Sequence, residues 1–293
     1  MMTDCKPGAQ GNDQEYNEKG QFSGPLCHGD QTPTPTPTPT LPPMLPPETD
    51  PPHWIHNTPE MPPLIKARKD YLDAINRGKW QEFSRAIDKL PNVTESEKFR
   101  YMMIFGVEGM MKVSSNGTAS GIQPETYRSY VNQGFFKPDP GHTVNEPKDL
   151  NIEERARYYR AFFNGKLSNL DGDNKLRKEE RPTSLSGCRL LDSLGDMKTS
   201  AAIADVIFQF SPRGADAIFR TALGDNNVVK YDENEIKMDT WNRLVAKARD
   251  LQSGLQLRKD IALAREERFG GKENRGSPVY GLTRYTTFVH YWE

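Results

Sequence analysis

The residue of this sequence with the clearest potential for chemistry is Glu108, which follows a run of apolar side chains. A carboxylate at the end of an apolar helix loses solvation and lies at the negative end of the helix dipole, and both effects disfavour its charge. A carboxyl group that keeps its proton near neutral pH is what general acid catalysis requires. Glu108 is therefore the candidate general acid. The alternative is a surface carboxylate at a helix end, with no function.

A buried helix is expected to position this carboxylate. Thr94, with Glu97 three residues later, has the pattern of a capping box, which predicts a helix start. The residues that follow are apolar on most of the helix circumference, which is typical of a helix inside the core. Gly109 comes directly after Glu108 and favours the end of the helix at that point.

A small and polar segment, residues 110–121, follows the candidate acid. It contains Asn116-Gly117, a pair that strongly favours a tight turn, so we expect a short β-hairpin after the helix. Pro124 then marks the first turn of another helix.

This order of features resembles the lysozyme-like muramidases of glycoside hydrolase family 108. Their signature is an acid in a Glu-Gly-Gly turn, followed by a polar, glycine-rich hairpin that ends in Gly-Ile-Thr. The matching residues here are Glu108-Gly109-Met110 and Gly121-Ile122-Gln123, and the third position differs in both. A second match lies in the segment from Ile203 to Phe208 and the segment from Ala217 to Gly224, which resemble the family's peptidoglycan-binding-type helices.

The resemblance implies a mainly α, lysozyme-like domain that cleaves the glycan strands of bacterial peptidoglycan. Glu108 would protonate the leaving glycosidic oxygen of an oxocarbenium-like transition state. Aromatic side chains suit sugar stacking, although core packing accounts for most of those in the helix predicted at 152–163. The substrate-binding candidates are Gly121, Tyr127 and Tyr159.

The second catalytic group stays open at this stage. No Asp or Glu lies between Glu108 and Glu125, so either a distant carboxylate enters the cleft or a hydroxyl group positions water. The hydroxyl candidates are Ser114, Ser115 and Ser120. Hydrolysis and a water-free lytic transglycosylase reaction are both compatible with this pattern.

Residues 169–180 fit the frame of an EF-hand calcium loop. Calcium prefers several hard oxygen ligands on a tightly turned loop, closed by a bidentate carboxylate. The candidate ligands are Asn169, Asp171, Asp173, the Lys175 carbonyl and Glu180. The loop has Asn at its first position and Asn174 where EF-hands have Gly, and the alternative is a solvated acidic loop. Ca²⁺ is the one cofactor that the sequence predicts.

The chain divides into three parts. Residues 1–61 are a Pro/Thr-rich leader that favours extended polyproline II, residues 62–270 the lysozyme-like catalytic domain, and residues 271–293 an aromatic tail expected to pack on that domain. The net charge is −1, so no global field points to nucleic acid. No apolar run is long enough for a transmembrane segment or a classical signal peptide.

These features together suit an antibacterial toxin that a secretion machine delivers to the periplasm or cell wall of a target bacterium, and a phage-type endolysin fits equally well. The expected partners are peptidoglycan, a secretion-system component that contacts the leader, and a cognate immunity protein. Two other classes compete: a calcium-stabilised helical binding protein in which Glu108 is inert, and a wall amidase. The amidase would need a Cys/His pair or a zinc set, and Cys188 has no His nearby in sequence.

Overall fold

The computed structural model describes residues 59–66, 76, 78–170, 186–225 and 234–269, and these residues are mainly α-helical, as predicted. In chain order the helices are α1 (Pro63–Lys66), α2 (Lys79–Asp88), α3 (Glu95–Val107), α4 (Pro124–Asn132), α5 (Ile152–Lys166), α6 (Ser186–Asp192), α7 (Met197–Gln209), α8 (Pro212–Ala222), α9 (Met238–Lys247) and α10 (Leu251–Phe269). A 3-10 turn, Pro147–Asp149, precedes α5. Within these ranges, no helix has the length and apolar character needed to cross a bilayer. Nearly all of the leader and the whole aromatic tail lie outside the described residues.

Helix α3 forms the centre of the core. Every residue from Arg100 to Val107 is buried, and the helix packs against α2, α6 and, most extensively, α7. Helix α7 is itself buried from Thr199 to Phe208. Because both helices are enclosed on all sides, their sequences lack the polar stripe of a surface helix, which confirms the expectation for α3.

Both ends of α3 are set by local hydrogen bonds. The Thr94 hydroxyl accepts a bond from the Glu97 backbone N–H at 3.0 Å. At the other end, the Met110 N–H donates to the Phe105 carbonyl at 2.8 Å and the Gly109 N–H to the Gly106 carbonyl at 3.2 Å. This pair of bonds, with Gly109 at a φ of 84°, is a Schellman motif. It ends the helix at Glu108, where the sequence predicted.

The Glu97 carboxylate has a different role from the one that a capping box implies. Its side chain is 1% exposed and forms a two-pronged ion pair with Arg160 of α5, at 2.7 and 2.8 Å. The Thr94 half of the expected box is therefore present, while the Glu97 carboxylate joins α3 to α5 in the core.

The prediction of a β-hairpin after α3 is wrong, because no strand occurs in the part of the chain that the structure describes. The segment makes two isolated bridges, in which Ala119 pairs with Val113 on one side and with Ile122 on the other. The chain reverses twice within a few residues, so a ladder cannot extend. The left-handed residues that produce these reversals are Gly117, Ser120 and Gly121. The tight turn expected at Asn116-Gly117 is present, with the Gly117 N–H bonded to the Ser114 carbonyl.

The buried pair between Glu97 and Arg160 gives a stability prediction. Arg160→Met should lower the free energy of unfolding by about 3–5 kcal/mol, because it leaves a carboxylate buried without its partner. The double variant Glu97→Leu with Arg160→Met should recover much of that loss. Arg157→Met is the matched control, since Arg157 lies on the same helix in a half-exposed pair with Asp139. Urea denaturation measures all three, and equal losses for Arg157→Met and Arg160→Met would contradict the prediction.

Candidate functional site

A cleft of about 440 Å³ opens at the C-terminal end of α3, and Glu108 lies in its wall. The loop after α3 and the first turn of α4 form one side of the cleft, and side chains of α5, the end of α7 and the start of α8 form the rest. Its volume falls in the range of pockets that hold small ligands. The candidate acid therefore faces a space that a substrate can occupy.

The carboxyl group of Glu108 is packed directly against Gly121. A Cβ atom at position 121 would lie 2.6 Å from both Cγ and Cδ of Glu108, and 2.6 Å from the Phe208 ring. Gly121 also has a φ of 74°, a conformation that L side chains rarely adopt. Glycine is thus required here for two reasons, and its contact fixes where the Glu108 side chain can lie.

The loop that carries Gly121 is anchored through Ser120. The buried Ser120 hydroxyl donates to the Met110 carbonyl at 2.6 Å and accepts from Arg155 at 2.9 Å. The Ser120 carbonyl accepts a hydrogen bond from the Tyr159 hydroxyl, also at 2.9 Å. Both partners belong to α5, so this helix holds the loop against the end of α3.

None of the three serine hydroxyl groups predicted for catalysis lines the cleft. Ser120 is a structural anchor that does not line the cleft, and Ser114 and Ser115 are exposed at the turn. The hydroxyl residues that do line the cleft are Thr118, Thr126, Tyr158 and Ser211. Sequence reasoning missed Thr118 and Thr126, because the path of the backbone from the end of α3 into α4 decides which of the small polar side chains reach the cleft.

The aromatic residues at the cleft also differ from those predicted. Tyr127 and Tyr159 are buried in the core, where the Tyr127 hydroxyl donates to the Val144 carbonyl at 3.2 Å. Of the predicted substrate-binding residues, Gly121 lies at the cleft. The aromatic wall consists of Tyr158, Phe162, Phe208 and Phe210. The Phe162 and Phe208 rings are 4.9 Å apart, so the wall is continuous between α5 and α7.

The residues that α5 contributes to the cleft wall are regularly spaced in the sequence. Tyr158, Phe162 and Lys166 are four residues apart, which places them on one face of the helix, and all three line the cleft. This spacing is visible in the sequence and could have identified them. The Tyr158 hydroxyl is buried and has no hydrogen-bond partner among the described residues. Burial raises the pKa of Tyr158, so its hydroxyl stays protonated.

Lys166 is the cation of the cleft. Its Nζ lies 3.5 Å from the Phe210 carbonyl and 5.3 Å from the centre of the Phe162 ring. Burial lowers the pKa of Lys166 below its usual value, because a partly desolvated ammonium is disfavoured. The cleft wall thus carries a carboxylate at the end of α3 and an ammonium at the end of α5.

The predicted calcium loop is described only at its start. The Asn169 side chain donates a hydrogen bond to the Ile236 carbonyl at 2.7 Å. The other four candidate ligands, Asp171, Asp173, Lys175 and Glu180, lie outside the described residues. Elsewhere in the described ranges, no three His, Cys, Asp or Glu side chains are grouped as a metal site would need.

The chain matches no known protein family, and neither a curated protein nor a solved structure is detectably similar to it. A functional proposal must therefore rest on the cleft and its side chains.

The contact between Gly121 and Glu108 gives a second prediction. Gly121→Ala should cost more unfolding free energy than Gly117→Ala, the matched control. Both glycines are left-handed, so both substitutions carry about 1–2 kcal/mol of backbone strain. A Cβ at 117 meets only Pro124, at 3.3 Å, whereas one at 121 displaces Glu108 and Phe208 and adds about 1–3 kcal/mol. Denaturant titration measures the difference, and equal losses would rule out the close packing.

Proposed function

We propose that the protein is a lysozyme-like muramidase that cleaves the glycan strands of bacterial peptidoglycan, with Glu108 as its general acid. The observation that carries the proposal is the position of Glu108, at the end of a buried helix and in the wall of a cleft with an aromatic side. A glycosidase needs a carboxylic acid that faces the sugar and is held rigidly in place.

The chemistry follows from this position. Glu108 donates a proton to the glycosidic oxygen as the bond to the anomeric carbon breaks. Phe210, the partly exposed member of the aromatic wall, offers a ring on which a sugar can stack, and the buried rings of Tyr158 and Phe162 support it from behind. Gly121 packs against the carboxyl group and limits where it can lie, which reduces the orientation that the reaction requires.

The second step of the reaction has two routes. Among the described residues that line the cleft, Glu108 is the one carboxylate, while Thr118 and Thr126 supply hydroxyl groups. Thr118 is the candidate to orient a water molecule in a hydrolytic reaction. In the lytic route, the sugar's own hydroxyl takes the place of water, and the product carries an anhydro end. The products distinguish these routes.

The proposed setting is the periplasm or cell wall of a target bacterium, with the protein acting as a secreted antibacterial toxin or as an endolysin. Residues 1–61 are then the proposed contact with a secretion machine, and a producing cell would need an immunity protein that blocks the cleft. An immunity protein that covers Glu108 would be the most direct block, because the carboxyl group lies in the cleft wall.

Replacing the proposed acid tests the function. Glu108→Gln should reduce glycan cleavage by at least roughly 10²–10⁴-fold, because the amide has nearly the same shape but cannot donate the proton. Purified peptidoglycan is incubated with the protein, and the fragments are identified by mass spectrometry as new reducing ends or anhydro ends.

Glu125→Gln is the matched control, since Glu125 is an exposed carboxylate at the start of α4 that does not line the cleft. It should retain wild-type cleavage. Near-normal turnover by a folded Glu108→Gln protein would refute the assignment of the acid. Release of free amines in place of sugar ends would indicate an amidase, and binding of the wall without cleavage would indicate a binding protein.

Calcium binding by residues 169–180 stays a prediction. Calcium should raise the melting temperature and EGTA should lower it, because a ligand that binds only the folded state stabilises that state. Asp171→Ala combined with Asp173→Ala should remove both responses. Calorimetric titration that detects no binding at millimolar calcium would show that the segment is a solvated loop.

A further inference from the structure

The charge of Lys166 is not matched by any carboxylate in the part of the chain that the structure describes. The strongly buried cations of the described residues, unlike the partly buried Lys166, are mostly paired. The arginines Arg100, Arg160, Arg258 and Arg265 each contact a carboxylate at 2.6 to 2.8 Å. Arg155 differs, but its donors are taken by the Ser120 hydroxyl and two backbone carbonyls. Lys166 has one carbonyl at 3.5 Å and the face of one ring.

The environment of Lys166 favours an anion. The N-terminus of α8 lies at the same wall, because Ser211, its N-cap residue, lines the cleft beside Phe210. A helix N-terminus carries a partial positive charge, so the helix and the ammonium act in the same direction. Glu108, in contrast, lies at the C-terminal end of α3. The cleft therefore has the proton donor on one wall and the Lys166 ammonium, near the start of α8, on another.

We propose that Lys166 is a specificity-determining residue that binds a carboxylate carried by the glycan. This inference rests on the proposed glycan-cleaving function and names the substrate class within it, a glycan whose sugars bear acidic substituents. The muramyl sugars of peptidoglycan strands freed of their peptides fit this class, since the lactyl group of each then ends in a carboxylate. A neutral polymer of N-acetylglucosamine lacks the group.

The physical basis is that the Lys166 ammonium would exchange weak contacts within the protein for a contact with a substrate carboxylate. The ammonium of Lys166 has lost part of its hydration, and its nearest protein partners are a neutral carbonyl and an aromatic ring. A substrate carboxylate would supply a charge-assisted hydrogen bond to a partly buried ammonium, where such a bond is stronger than at an open surface. The Phe162 ring beneath the ammonium keeps it above the aromatic wall on which the sugars are proposed to stack.

Lysine at the last position of a helix can also serve stability alone, through the helix dipole. The two roles have different consequences. If Lys166 serves stability alone, replacing it should lower the melting temperature and reduce the cleavage of charged and uncharged substrates by the same factor. A carboxylate-binding lysine changes the ratio of cleavage rates between charged and uncharged substrates, and that ratio is the decisive measurement.

The experiment compares two forms of one substrate with the full-length protein. Glycan strands freed of their peptides keep lactyl carboxylates, and the same strands are capped as methylamides. We expect kcat/KM of the wild type to be roughly 10- to 100-fold higher on the carboxylate form, which is the effect of one hydrogen bond to a charged group. Lys166→Met should abolish this preference, whereas Lys166→Arg should retain it.

Lys137→Met is the matched control, because it removes an exposed lysine outside the cleft and changes the net charge equally. It should keep the wild-type preference. Equal cleavage of both forms by the wild type overturns the inference and leaves the proposed function intact. A preference that persists in Lys166→Met also overturns it. If the wild type cleaves neither form, the proposed function fails, and the inference fails with it. The wild-type comparison needs no variant, so it decides even if Lys166→Met does not fold.

Discussion

The ion pair between Glu97 and Arg160 fixes the geometry on which the cleft depends. It joins α3 to α5 inside the core, and the cleft lies where Glu108 at the end of α3 and one face of α5 come together. Glu108 lies at the end of α3, and the cleft-lining face of α5 runs past Arg160 from Tyr158 to Lys166. A charged pair with two hydrogen bonds has a defined direction, whereas apolar packing tolerates sliding. The pair therefore sets the register between the proposed acid and the surface on which a substrate would lie.

Helix α5 has a second role, because it also determines the shape of the loop opposite. Arg155 and Tyr159 both bond to Ser120, and this anchor presses Gly121 onto the Glu108 carboxyl group. One face of the helix thus lines the cleft while the adjacent face holds the loop that closes it. Tyr158 and Tyr159 are both fully buried, but Tyr158 lies on the cleft-lining face and Tyr159 on the face that bonds to the loop.

Features that depend on nearby residues could be predicted from the sequence, and those that depend on distant contacts could not. The Thr94 cap, the burial of α3 and the helix end at Gly109 each follow from a few adjacent residues, and they placed Glu108 correctly. The role of Glu97 depends on a partner 63 residues away. The β-hairpin failed for a related reason, since the anchor from α5 holds Ser120 in a left-handed conformation that no local pattern announces.

Two residues of the loop, Met110 and Ser120, have positive φ angles of 55° and 52° without being glycine. Such conformations cost about 1–3 kcal/mol each and persist only where neighbouring contacts impose them. The Ser120 hydroxyl is bonded to the Met110 carbonyl, so the two strained positions are tied to each other and to Arg155. The backbone of the loop is consequently strained in the folded protein. Local unfolding would release that strain and, in the same event, free the side chain of Glu108 from the glycine that confines it.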